Sequence, residues 1–275
     1  MEPDPLHCDE LRQAALAALR LAEPARKVAA VQALWAARTA LRLDRTATLA
    51  DPGDLPGRPP RPRLVPPKQV PSRSVHTPLG RAGLLHAIAH IEFNAINLAL
   101  DAVWRFPGLP ADYYLDWLQV AHEEAHHHAL LAEHLAGMGH AYGDFDAHDG
   151  LWSMTLKTRD DFVARMALVP RTLEARGLDA TPPIQQKLRQ AGDLGAVEIL
   201  DVILREEVGH VAIGNRWYLH ACEAAGLEPV AHYRALVAQY AAPRLRPPFN
   251  VQARRAAGFT QAEIDYLLGD GPAAL

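Results

Sequence analysis

Two stretches of this chain set carboxylates and imidazoles inside helical apolar patterns: Val120 to Leu131, reading VAHEEAHHHALL, and Leu204 to Val211, reading LREEVGHV. Each contains a Glu-x-x-His pair, and residues three apart share one face of a helix. In the second stretch the pair is Glu207 and His210. In the first, Glu123 with His126 and Glu124 with His127 both have the spacing, so their neighbours must choose between them. Steps of three and four through Glu124 join Tyr113, Trp117, Val120, His127, Leu131 and then Leu135 or Met138, an apolar seam. Glu123 aligns instead with Asp116, Gln119, His126, Leu130 and Glu133, a solvated face. The pattern therefore places Glu124 and His127 inside and Glu123 and His126 outside. Glu207 also sits in a core stripe, after Leu200 and Ile203 and before His210, Gly214 and Trp217.

A bare carboxylate in such a stripe costs several kcal/mol, so it should be protonated, paired or bound to metal. Two more glutamates are placed this way. Glu92 interrupts Leu85, Ile88, Ala95 or Ile96, Ala99 and Val103. Glu174 follows Val163, Ala167 and Pro170 and precedes Leu178, in a pattern that Pro170 breaks and can kink. Glu92 lies 32 residues before Glu124 and Glu174 lies 33 before Glu207, so a lone Glu followed by Glu-x-x-His occurs twice. That is an internal repeat of a helix hairpin. Four carboxylates would neutralise two divalent ions, and two neutral imidazoles would complete the set. One imidazole per metal among carboxylates suits iron first and manganese second, with zinc also admitted.

The elements that must hold these groups read as helices throughout, an all-α fold. The first helix of the repeat spans about residues 81–106. The second opens at Asp112 and ends near Gly137 and Gly139, and a polar crossover follows from Tyr142 to Gly150. Thr158 with Asp161 gives a capping-box-like start to the third helix, which ends around Gly177. Thr181-Pro182-Pro183 then introduces a separate helical stretch, and the fourth helix continues to about Gly226. Before this region lie two Ala-, Leu- and Arg-rich helices, residues 6–22 and 24–43. After it come a helix at about 229–241 and a short last helix capped by Thr260 and Glu263, with Phe259 and Ile264 placed as a hydrophobic staple. Residues 51–78 contain nine prolines, and between Leu55 and Gly80 the charges are all basic: Arg58, Arg61, Arg63, Lys68 and Arg73. This arm either wraps the surface or straps an anionic partner. The tail is basic again at Arg244, Arg246, Arg254 and Arg255. The organisation expected is a helical extension over 1–50, a Pro-rich basic arm over 51–80, a four-helix bundle over 81–226 and a C-terminal helical extension over 227–275.

A net charge of -4 on 275 residues argues against a general nucleic-acid or membrane-surface binder. The two cysteines, Cys8 and Cys222, form no Cys-x-x-Cys motif, no signal-peptide pattern opens the chain, and no apolar run reaches the roughly 18 residues of a membrane span. A cytoplasmic protein with no membrane contact is expected. There is no Gly-rich phosphate loop and no period-two alternation, which excludes nucleotide-binding α/β folds. His86, His90, His122, His128 and His134 read as surface or hydrogen-bonded core residues, with His90, two before Glu92, the candidate to orient a ligand. His148 and Asp149 either cap the crossover or orient a substrate. Ala167 and Gly214 either leave room for a substrate or allow close helix packing.

The strings EEAHHH, AHDGLW, LVPRTLEARGLD, EEVGHVAIGNRW and PPFNVQARRAAGF resemble a bacterial and plant family described as a ferritin-like domain of unknown function, over about residues 80–259. A more distant resemblance is to the ferritin-like hydroxylase of a prenylated tRNA adenosine. The resemblance implies a ferritin-like four-helix bundle with metal ligands at Glu92, Glu124, His127, Glu174, Glu207 and His210, and open positions where dioxygen or peroxide binds between the metals. The function expected is a di-iron or di-manganese oxidoreductase, a hydroxylase first, acting on an unidentified small molecule or RNA, with an electron-donor protein and a second copy of the chain in a homodimer as the candidate partners. A second class is metal handling or peroxide protection, and a third is an RNA-binding or tRNA-modifying protein that uses the basic segments. No acid or base beyond the ligands can be assigned.

Overall fold

A computed structural model describes residues 8–269. The starts and ends of the two terminal extensions, residues 1–7 and 270–275, lie outside the described residues. Helix is the regular structure throughout, joined by two isolated bridges. The chain forms two compact units, Met1–Trp152 with Gln190–Ile199, and Ser153–Arg189 with Leu200–Leu275.

In the first unit, α1 (Leu11–Arg20) is capped by Glu10, whose carboxylate accepts from the backbone of Arg12 and Gln13, and it buries Leu11, Ala14, Ala15, Ala18 and Leu19. Arg12 is buried among carbonyls, donating to Asp44, Ala47 and, at 2.6 Å, Trp104. Helix α2 (Pro24–Ala37) starts on Glu23 with Pro24 in its first turn, where the missing N–H is harmless. The buried Lys27 of α2 donates to the carbonyls of Leu19 and Gly57 and to Asn97 Oδ1, fastening α1, the arm and the next helix together. Burial holds the Lys27 ammonium well below its usual pKa.

Helices α3 (Pro78–Arg105) and α4 (Ala111–Gly137) form a long hairpin. Thr77 caps α3 through the Gly80 N–H. At the turn, Tyr113 and Tyr114 donate to the carbonyls of Ala102 and Phe106, and at the other end His128 Nδ1 lies 3.0 Å from the carbonyl of Ala89. The seam read from the sequence is buried at Tyr113, Trp117, Val120, Leu131 and Leu135. From Glu92 to Trp104, α3 is buried on every side.

The Pro-rich arm lies along the crossover loop of this same unit. Val65 N–H donates to Ala147 O, and Ala147 N–H donates to Arg63 O. Arg58 pairs with Asp149 at 2.6 Å, Arg63 pairs with Asp146, and Arg73 lies over the Phe145 ring. The crossover ends in α5 (Gly150–Lys157), a helix that the polar composition of the loop did not announce.

The second unit departs most from the sequence pattern. Helix α6 (Phe162–Leu168) is capped by Asp161 alone; Thr158 instead bonds back to Met154 O and accepts from Arg165. A π-helical segment, Val169–Glu174, follows, with Thr172 Oγ1 donating five residues back to Ala167 O. Helix α7 (Ala175–Gln190) then runs straight through Pro182 and Pro183, so the separate helix expected after Gly177 does not exist. A proline removes the N–H that the carbonyl four residues earlier would accept. For Pro182 that carbonyl is Leu178 O, and Asn250 Nδ2 supplies the donor at 3.2 Å.

Helix α8 (Leu194–Ala225) begins in the first unit and ends in the second. Helix α9 (Pro229–Gln239) starts on Glu228, α10 (Val251–Ala256) on Asn250, and α11 (Gln261–Leu268) on a capping box of Thr260 and Glu263. Phe259 and Ile264 are buried in one cluster with Ala175, Leu178 and Val211. Helix α10 was not legible in the basic tail. Its Arg254, counted there as a tail charge, is buried and paired with Asp179 at 2.6 Å.

Candidate metal centre

In the first unit the α3–α4 hairpin brings Glu92, Glu124 and His127 together. All three are buried, and one donor atom of each lies within 4.8 Å of the other two. His127 Nδ1 is 3.2 Å from Glu92 Oε2 and 3.5 Å from Glu124 Oε2. The register follows from helix geometry: Glu124 and His127 are wholly buried, whereas Glu123 is half-buried and accepts from Gln119, and His126 is exposed.

Two carboxylates at this range inside an apolar core cannot both ionise without a cation. Burial, followed by repulsion from Glu124, pushes the Glu92 carboxyl up to about 8. A metal ion at this point would supply the missing positive charge and release that proton. Two carboxylates and an imidazole are the hard and borderline donors that iron, manganese and zinc accept.

In the second unit Glu207 and His210 lie one turn apart on α8, with His210 Nδ1 3.9 Å from Glu207 Oε1. Both are buried, and Glu207 Oε2 is enclosed without a hydrogen bond. An enclosed carboxylate oxygen with no donor is what a metal-free ligand looks like. Glu174 is buried at the last position of the π-helical segment. The π-helical turn is formed around Pro170, whose ring packs so close to Gly214 that a Cβ there would come within 2.6 Å. Gly214 is thus spent on close helix packing.

The remaining histidines divide by partner. His90 faces away from Glu92, as a two-residue step on a helix requires. Its ring bonds Tyr142 Oη at 2.9 Å and the carbonyl of His148 at 3.2 Å, so it organises the crossover loop. His86 Nε2 accepts from the Gly143 N–H, and burial lowers its pKa to about 4. His90 is lowered to about 3 for the same reason. His122 stacks on Trp35 and His134 pairs with Asp193 at 3.0 Å. Asp149 holds Arg58, and His148 Nδ1 accepts from the Gly150 N–H, so both close the loop.

Sequence reasoning missed the buried Arg171 of the π-helical segment. It donates to Asn215 Oδ1 at 2.7 Å, pairs with Glu263, and lies over the rings of Tyr218, Tyr233 and Phe259. An arginine inside an apolar pattern beside Pro170 was the available signal.

A family model described as "Protein of unknown function (DUF455)" matches residues 20–265, beyond both ends of the region 80–259 that the motif strings covered. The chain is 51% identical over 216 residues to an uncharacterized protein of Haemophilus influenzae, spanning 76% of this chain and 75% of that protein. No solved structure matches. Among the described residues no helix is long and apolar enough to cross a membrane.

Proposed function

This chain belongs to the DUF455 family, and from that premise we propose that it is a ferritin-like dinuclear-metal protein acting as an oxidoreductase on dioxygen or peroxide. The ligands proposed are Glu92, Glu124 and His127 from the α3–α4 hairpin, Glu174 from the π-helical segment, and Glu207 and His210 from α8. Iron is the first candidate and manganese the second. The observation that carries the reading is the buried trio Glu92, Glu124 and His127, in which burial and the Glu124 carboxylate push the Glu92 carboxyl up to about 8.

A redox metal pair bound there would supply electron transfer to an oxygen species. The chain's own residues hold the donors, keep bulk water away and fix their orientation. Glu92 must give up its proton for the metals to bind, and His127, between two carboxylates, must be neutral to ligate. A second reading, peroxide removal without an organic substrate, is favoured by one observation: the α3 residues around Glu92 are buried on every side, which suits a small reactant.

The test is elemental analysis of protein grown with iron, followed by anaerobic reduction, oxygen addition and an optical spectrum. About two metals per chain with an oxygen-dependent spectral change is the expected result. Stoichiometric metal without any response to oxygen or peroxide would leave a metal-handling role. Folded protein with no stoichiometric metal would overturn the proposal.

A further inference from the structure

The second unit carries a groove of about 680 Å³ that the metal ligands do not touch. Helix α9 contributes Tyr233 to it, α11 contributes Tyr266 and Leu267, and the segment that connects α9 to α10 contributes Arg244, Arg246 and Phe249. The size falls within the range of sites that enclose a small organic molecule.

Charge separates this groove from the rest of the unit. The two buried arginines nearby are neutralised, Arg171 by Glu263 and Arg254 by Asp179. Arg244 and Arg246 are exposed, and neither makes an ion pair or hydrogen bond with another described residue. Among the described residues no carboxylate lines the groove. Both guanidiniums therefore belong to the lining of one groove. A third cation, Arg234, lies 4.5 Å from the Tyr266 ring, and its Nε is buried with no hydrogen-bond partner. Guanidinium forks match the oxygens of a phosphate, and the rings of Tyr266, Tyr233 and Phe249 in the same lining match a planar body.

We propose that this groove binds a small organic phosphate bearing an aromatic ring, with Arg244 and Arg246 holding the phosphate and Tyr266 and Phe249 bounding the ring. The site is independent of the metal centre. Its prolines, at 243, 247 and 248, stiffen the segment that carries both arginines, so little order is lost on binding.

Isothermal titration of the full chain with adenosine 5′-monophosphate, uridine 5′-monophosphate and phenyl phosphate tests this, with inorganic phosphate and adenosine as the split controls. At least one ring phosphate should bind with one-to-one stoichiometry, about tenfold or more tighter than either control. Its affinity should fall as salt is raised. The double variant Arg244→Ala/Arg246→Ala should weaken it at least about tenfold without lowering Tm, because both side chains are exposed. Tyr266→Phe should retain binding and Tyr266→Ala should lose it. Binding of inorganic phosphate as tight as any ring phosphate, binding indifferent to the double variant, or no binding across the panel would each overturn the proposal. So would a single-stranded oligoribonucleotide that binds through the same arginines while the mononucleotides do not.

Discussion

Glu123 and Glu124 are adjacent in the chain, yet one accepts a hydrogen bond from Gln119 at a half-exposed face and the other is enclosed beside His127. Removing the enclosed pair, by Glu124→Gln or His127→Ala, should therefore strip most of the bound metal. Glu123→Ala and His126→Ala should leave it unchanged. Elemental analysis of matched preparations decides this, and loss confined to the outer pair would reverse the register. Glu92 makes a second claim, about protons. Its folded pKa, about 8, lies above the ordinary 4.5, so its contribution to the stability of the metal-free protein is complete below about 4.5 and is lost as pH rises through 8. Glu92→Gln stays neutral throughout. The Tm of metal-free wild type, relative to that variant, should fall as pH is raised from 6 to 9 by the linkage of this one group. A constant difference would show that Glu92 does not carry the proton. This residue-level pattern was legible because helix periodicity alone places Glu124 and His127 among Trp117, Val120 and Leu131.

Elements were legible only where their satisfaction is local. The capping box of Thr260 and Glu263 is written in four consecutive residues, and it forms. The passage of α7 through Pro182 and Pro183 is not local, because the donor that takes the freed Leu178 carbonyl belongs to Asn250, 72 residues from its acceptor. The arm is similar: the acids that hold Arg58 and Arg63 are Asp149 and Asp146, far along the chain. Pro170 announced a break but not its form, since the π-helical turn depends on Gly214 lying beneath the proline ring. That contact makes a prediction at this scale. In Gly214→Ala the new Cβ would stand 2.6 Å from Pro170 Cβ and 2.8 Å from Cγ, and a rigid ring cannot turn aside. Overpacking of this kind costs about 1–3 kcal/mol. Thermal unfolding should show a Tm lower by roughly 2–4 °C per kcal/mol. An unchanged Tm would mean that the segment can relax without strain.

For the molecule as a whole, metal is expected to act as a ligand of the folded state. Metal at a hundred times its dissociation constant should add about 2.7 kcal/mol to folding. Chelation should therefore lower Tm, and readdition of iron or manganese should restore it. Equal melting of stripped and loaded protein would separate the donor cluster from stability altogether. The division of the chain bears on how the protein is made. Neither compact unit is a continuous stretch, since the first needs residues 190–199 and the second closes only with residues that follow Ile199. On the ribosome, the intervening stretch 153–189 must emerge first, which takes about two to seven seconds at roughly 5–20 residues per second. During that interval the first unit waits incomplete with Glu92 and Glu124 already synthesised. A chain that returns to its first unit should therefore expose that unit to chaperones during this window, and a fragment cut at residue 152 should fold less stably than the full chain.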